Sequence, residues 1–178
     1  MCKFYTKYHN PGGVTFSCNY LERFSVANTY TQLNIHGIYA VKGRENIIIN
    51  TFRDSLHRYT AGILKESGVF PLAVGGWKDH IHVFFELPAA QALSDIMGSV
   101  KRNSSKWVNE NKFLPGKFHW QDGYAAFSYA RSQRDRVIKY IMNQEAYHRG
   151  ITFKEEYFGF LKKFGISYDE RYVIEFYD

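Results

Sequence analysis

The chain has 178 residues, of which 45% are hydrophobic and 22% charged, so it can bury a core, and an intrinsically disordered chain is excluded. No apolar run approaches the ~20 residues of a membrane helix and no signal peptide is evident, which argues against a membrane partner. The net charge of +6 is uneven: residues 151–178 hold four cations against six acids, so the first 150 carry +8, a balance that suits a polyanion such as DNA although basic surfaces also serve solubility alone.

Taken in order, residues 1–27 lack periodicity, with a turn at Pro11-Gly12-Gly13. They are expected to be an N-terminal extension, or an upstream mis-start with Val26 as the initiator, ahead of one domain over 28–178. Cys2 and Cys18 lie in this stretch without metal-ligand spacing and read as reduced thiols of a cytoplasmic protein. A first strand is expected over 31–41, a helix over 45–67, and strands near 69–77 and 80–87. A helix over 93–109 follows, then a loop around Pro115-Gly116, a strand near 124–130 and a helix carrying Val137, Ile138, Ile141 and Met142 at helical spacing behind Ser132 as N-cap. Phe153, Tyr157, Phe160, Leu161 and Phe164 predict an amphipathic C-terminal helix over 153–164. The βαββαβα order argues for an α+β fold of ferredoxin-like type, an antiparallel sheet with helices packed on one face.

Two of these elements carry chemistry. His80 and His82 are separated by one apolar residue in a strand, so both imidazoles project from the same face, and two neutral imidazoles side by side are half of a divalent-metal site. Tyr140 and Gln144, four apart on a helix, lie one above the other and could supply a nucleophile and a third metal ligand. Each pair alone is better read as structural histidines and as a tyrosine packed at a helix edge beside a solvated Gln144.

Together they resemble the single-tyrosine HUH transposases of the insertion-sequence-200-like type, including the REP-associated tyrosine transposases. His80-Ile81-His82 fits the His-hydrophobic-His motif and Tyr140-x-x-x-Gln144 the nucleophile helix. Further matching stretches are Tyr30-Thr31-Gln32-Leu33, Val41-Lys42-Gly43-Arg44, Lys101-Arg102-Asn103-Ser104-Ser105-Lys106-Trp107 and the run from Trp120 to Ser128. Tyr147-His148 departs from the paired histidines of many relatives. The resemblance implies an RRM-like HUH nuclease fold, Tyr140 as nucleophile, and His80, His82 and Gln144 as ligands of Mg²⁺ or Mn²⁺. Three neutral ligands leave positions for water and a phosphate oxygen, as such ions prefer. It also implies single-stranded DNA bearing a hairpin as substrate, a 5′-phosphotyrosine intermediate, and a bacterial, nucleoid-associated protein of the cytoplasm. A homodimer with active sites completed in trans is a further implication. A domesticated relative acting on chromosomal palindromes and an inactive hairpin-binding module are the alternatives.

Lys101, Arg102, Ser104, Ser105 and Lys106 cluster on the helix over 93–109 as candidate DNA contacts, or as a solvated face. Arg131, Arg134, Arg136 and Lys139 form a second basic group beside Tyr140, and Arg44 is a further candidate. Asp79 is read equally as orienting a histidine or capping a turn. His36, His57, Trp120 and Phe127 are expected to be structural.

Overall fold

The computed structural model describes residues 14–15, 29–44, 46–169 and 173. Five strands, β1 (Val14–Thr15), β2 (Asn34–Ala40), β3 (Phe70–Gly76), β4 (His80–Glu86) and β5 (Ala125–Tyr129), form one antiparallel sheet in the order β1-β3-β4-β2-β5. Among the described residues five α-helices accompany it: α1 (Asn50–Glu66), α2 (Leu93–Glu110), α3 (Arg134–Met142), α4 (Gln144–Tyr147) and α5 (Phe153–Lys163). Val14–Thr15 thus supplies an edge strand from a stretch expected to be irregular. The rest of the extension, with Cys2 and Cys18, lies outside the described residues.

The α+β antiparallel fold expected from the sequence is the one observed, and side-chain alternation along the strands explains its two cores. Ile35, Tyr39, Ile81, Val83 and Phe85 point to the face covered by α1 and α2, packing against Phe52, Leu56, Ile96, Met97 and Val100. Ile38, Ala40, Phe84 and Phe127 point to the other face, where Val137 and Ile141 of α3 and Phe153, Tyr157 and Phe160 of α5 close over them. The two long helices lie on one face, as expected. The second face is also covered, because α3 and α5 each carry an apolar stripe that only this face can bury.

Helix α1 starts later than the expected position 45. The amide of Ile48 donates to Lys78 O at 2.8 Å and the Ile48 side chain is fully buried, so the chain stays extended until Asn50. Val41 N donates to Asp79 O at 2.8 Å in the same way. Both bonds hold the tight β3–β4 turn, and with it the start of the histidine strand.

A glycine decides how closely α3 approaches. Gly75 stands opposite His82 in the ladder, and a Cβ there would lie 2.4 Å from the backbone oxygen of Ile141. Only a residue without a side chain lets the backbone of α3 rest on β3 beside the histidines. Gly75→Ala is expected to cost about 1–3 kcal/mol of stability, the range for overpacking a filled site, and to lift Tyr140 away from the sheet. Urea unfolding of the variant checks the first, and unchanged stability would mean that α3 yields freely.

Candidate active site

Strand alternation puts His80 and His82 on the α3/α5 face, where both are fully buried. Each imidazole is oriented through one ring nitrogen. His80 Nδ1 lies 2.7 Å from Asp79 Oδ1, and His82 Nδ1 lies 2.8 Å from His36 Nε2. A carboxylate only accepts, so Nδ1 of His80 carries the proton donated to Asp79 and its Nε2 turns toward α4 and α5. Asp79 therefore orients a histidine, one of the two roles open to it. His36, expected to be structural, stacks on His82 with ring centroids 5.0 Å apart and fixes that ring.

The two Nε2 atoms converge on Glu156 of α5. Glu156 Oε1 lies 3.5 Å from His82 Nε2, and Glu156 Oε2 lies 3.6 Å from His80 Nε2 and 3.3 Å from His148 Nε2. Tyr140 Oη donates to Glu156 Oε1, and the Gln144 amide nitrogen donates to the same oxygen at 3.0 Å. Gln144 Oε1 in turn faces His80 Nε2 at 3.1 Å and His148 Nε2 at 2.9 Å. Tyr140, His80, His82 and Gln144 are thus brought together within a single chain, and two unexpected groups, Glu156 and His148, join them.

Helix geometry explains this convergence. Tyr140 and Gln144 do not share one continuous helix as expected: α3 ends at Met142, Asn143 leaves helical geometry at φ −104° and ψ 19°, and Gln144 opens α4. Both side chains still reach the cluster across that break. The start of α5 is set by Thr152, whose Oγ1 accepts from Glu155 N at 3.2 Å while its own amide donates to Glu155 Oε2 at 2.8 Å. That start places Phe153, Glu156, Tyr157 and Phe160 on the inward face. The signal for Glu156 was present in the sequence as an acid three residues after Phe153 and four before Phe160, inside an otherwise apolar stripe.

Burial and mutual charge set the protonation of the cluster. Burial, with His80 and His148 adding their charge, holds His82 well below the usual histidine range, so it is neutral with a lone pair to offer. Burial and His82 likewise lower His36. For His80, burial pulls downward, but the Asp79 hydrogen bond and charge, with Glu156 and Gln144, raise it above the ordinary value. Burial pushes Glu156 up to about 7 against the pull of His80, and burial lowers His148 to about 4.

The donor set fits a divalent cation. His82 Nε2 and Glu156 Oε2 are buried without a hydrogen bond, and ligand atoms of His80, His82 and Glu156 all lie within 4.8 Å of one another. Two imidazole nitrogens and a carboxylate oxygen are donors that a divalent cation takes, and a cation there would displace the His80 proton and relieve the buried charge of Glu156. The buried Glu156 carboxylate adds a donor not expected from the sequence, and Gln144, expected as the third ligand, stands at the same site, with its Oε1 facing His80 Nε2 at 3.1 Å and its amide nitrogen holding Glu156. If Asp79 tunes His80, Asp79→Ala is expected to lower Mn²⁺ affinity about 10–100-fold with the ligands untouched. Titration calorimetry reads this directly, and unchanged affinity would reduce Asp79 to a turn cap.

The expected DNA-contacting residues separate by exposure. Arg102, Lys106, Arg131 and Lys139 are exposed, and Lys106 pairs with Glu110 at 3.6 Å. Ser104 is a correction: it is fully buried, donating to Val100 O at 2.6 Å and accepting from Trp120 Nε1 at 2.9 Å, so no phosphate reaches it. Lys101 donates to Gln121 O and Gly123 O at 2.5 Å each, and Ser105 donates to Phe118 O at 2.8 Å, so both tie α2 to the following loop. Arg134 bonds Asn34 Oδ1 at 2.7 Å and pairs with Glu86, anchoring α3 to the sheet. Arg44 closes a short turn whose side chain lies outside the described residues. Trp120 and Phe127 are core, as expected.

An antiparallel α+β sheet presenting two strand histidines and a buried carboxylate to a helix tyrosine defines a distinct class of protein. Residues 29–144 match the family described as Transposase IS200 like, and the chain belongs to that family. It is 24% identical over 118 residues to the ISDra2 transposase TnpA of Deinococcus radiodurans, covering 64% of this chain and 84% of that one. Its fold is similar to a candidate transposase from Deinococcus radiodurans R1, with TM-score 0.51, 20% identity, and 68% of this chain and 98% of that one covered. It is also similar to a REP-associated tyrosine transposase bound to a REP hairpin, with TM-score 0.52, 13% identity, and 71% and 74% covered. Among the described residues no helix is long and apolar enough to cross a membrane.

Proposed function

We propose that this transposase cuts and rejoins single-stranded DNA beside a hairpin through a phosphotyrosine at Tyr140. The observation that supports this is the hydrogen bond from Tyr140 Oη into the His80/His82/Glu156 cluster, since a phenol beside a candidate cation site has the chemistry of an activated nucleophile. Tyr140 Oη bonds to phosphorus while the P–O3′ bond breaks. The phenol proton passes to the Glu156 carboxylate, and the departing 3′-oxygen takes a proton from water. Mg²⁺ or Mn²⁺ held by His80, His82 and Glu156 would polarise the scissile phosphate. The 5′-phosphotyrosine keeps the energy of the broken bond, so a second 3′-OH can attack it and complete strand transfer. Trapping a covalent adduct between the protein and single-stranded hairpin DNA tests this reading; binding without any adduct leaves the inactive hairpin-binding alternative.

The hairpin as ligand is supported by the REP hairpin in the structure of a similar transposase. A domesticated role on chromosomal palindromes uses the same chemistry. Strand exchange between two ends calls for two copies of the chain, although the proposed nucleophile and cation ligands are complete within one. We infer that Arg102 and Lys106 meet phosphates, since both are exposed on one side of α2. Neutralising either by Gln should reduce the slope of log affinity against log salt by about 0.7–0.9, and an unchanged slope would leave this helix merely solvated.

A further inference from the structure

Beside Tyr140, with no histidine in its lining, a cavity of about 350 Å³ opens between α3 and α5. Its walls are aromatic, with Tyr129, Tyr147 and Phe160 joining Tyr140, and Arg136 and Lys163 stand at its margin. Both cations are exposed, and neither has an ion-pair partner among the described residues. Lys163 lies over the Tyr129 ring at 5.4 Å. Two acids also line it, Glu155 engaged by the Thr152 cap and Glu156 by the histidine cluster.

Gly159 of α5 lines the cavity and puts no side chain into it. A Cβ there would meet nothing within 4 Å, so no packing demand explains a glycine in the helix interior, where it is unfavourable relative to alanine. What its absence leaves is a slot with apolar, ring-bearing walls and a cationic margin, a combination that accepts a stacked base with its phosphate at the rim.

We propose that this slot holds one nucleoside of the cut strand, the one whose 5′-phosphate Tyr140 takes over. This rests on Tyr140 being the nucleophile. Tyr140 forms a wall of the slot and none of the histidines does, so the nucleotide kept on the enzyme lies on the slot side and the departing 3′-oxygen on the histidine side. The base is gripped between aromatic faces, and Arg136 and Lys163 meet the backbone that leaves the slot.

The test uses the full chain in chelator and reads binding alone. The probes are the four deoxynucleoside 5′-monophosphates, with deoxyribose 5-phosphate as the baseless control, followed by NMR titration. At least one monophosphate is expected to bind about tenfold or more tightly than the control, the usual worth of a stacked base. Gly159→Leu fills the slot and should abolish that preference, while Mn²⁺ uptake, read separately, stays at the wild-type level. A double Arg136→Gln, Lys163→Gln variant, changed only at exposed positions, should weaken monophosphate and control alike and retain the preference for a base. Equal binding of monophosphates and control, or a preference surviving in Gly159→Leu, overturns the slot. Covalent adduct formation is scored independently. A slot that binds bases in a protein forming no adduct would leave the site standing and remove the proposed chemistry, and the converse result would do the reverse.

Discussion

Tyr140→Phe is expected to lower formation of the covalent protein–DNA adduct by more than about a thousandfold while leaving hairpin affinity within a few-fold of wild type. The substitution removes one oxygen. The ring keeps its edge contacts with Tyr147, His82 and Phe160 at centroid distances of 5.1, 5.8 and 5.8 Å, so the surface offered to DNA hardly changes. End-labelled single-stranded hairpin DNA, incubated with the variant and run under denaturing conditions, gives the answer. An adduct that persists would move the nucleophile to Tyr147, whose ring packs against that of Tyr140.

The second large effect concerns the cation. His82→Ala and Glu156→Ala are each expected to reduce Mn²⁺ affinity by more than about a hundredfold and to halt adduct formation, since each removes one donor of the proposed cation site. Gln144→Ala should be milder, about tenfold, because its amide holds Glu156 by one hydrogen bond of 3.0 Å. Calorimetric titration of Mn²⁺ measures the first effect, and adduct yield with and without chelator the second. Normal Mn²⁺ uptake by Glu156→Ala would return the third position to Gln144, and full cleavage in excess chelator would remove the cation altogether. Mixing Tyr140→Phe with His82→Ala subunits then separates assembly modes: sites built within one chain recover nothing, whereas trans completion restores about one quarter of them.

Much of this protein is legible in its sequence because the decisive signals are local. Alternation in His80-Ile81-His82 sets two imidazoles on one face of a strand whatever packs above it, and the helical recurrence of Val137, Ile138 and Ile141 forms α3 around Tyr140. The apolar stripe of α5 likewise predicts its extent to within one residue, Phe153–Lys163 against the expected 153–164. What required the tertiary structure is everything set by a neighbour distant in sequence. Glu156 stands 74 residues from His82 in a helix read only as packing, and His36 lies 46 residues away on another strand. No periodicity links them, because contacts across a sheet and between layers follow the order of the strands and not the order of the chain. The basic residues of α2 show the same limit. A run of cations and hydroxyls reads as one surface, yet turning a helix through 100° per residue sends Ser104 into the core, ties Lys101 and Ser105 to the next loop, and leaves Arg102 and Lys106 facing solvent. Residue type determined which chemistry this chain can perform; packing decided which of those residues stand within reach of one another.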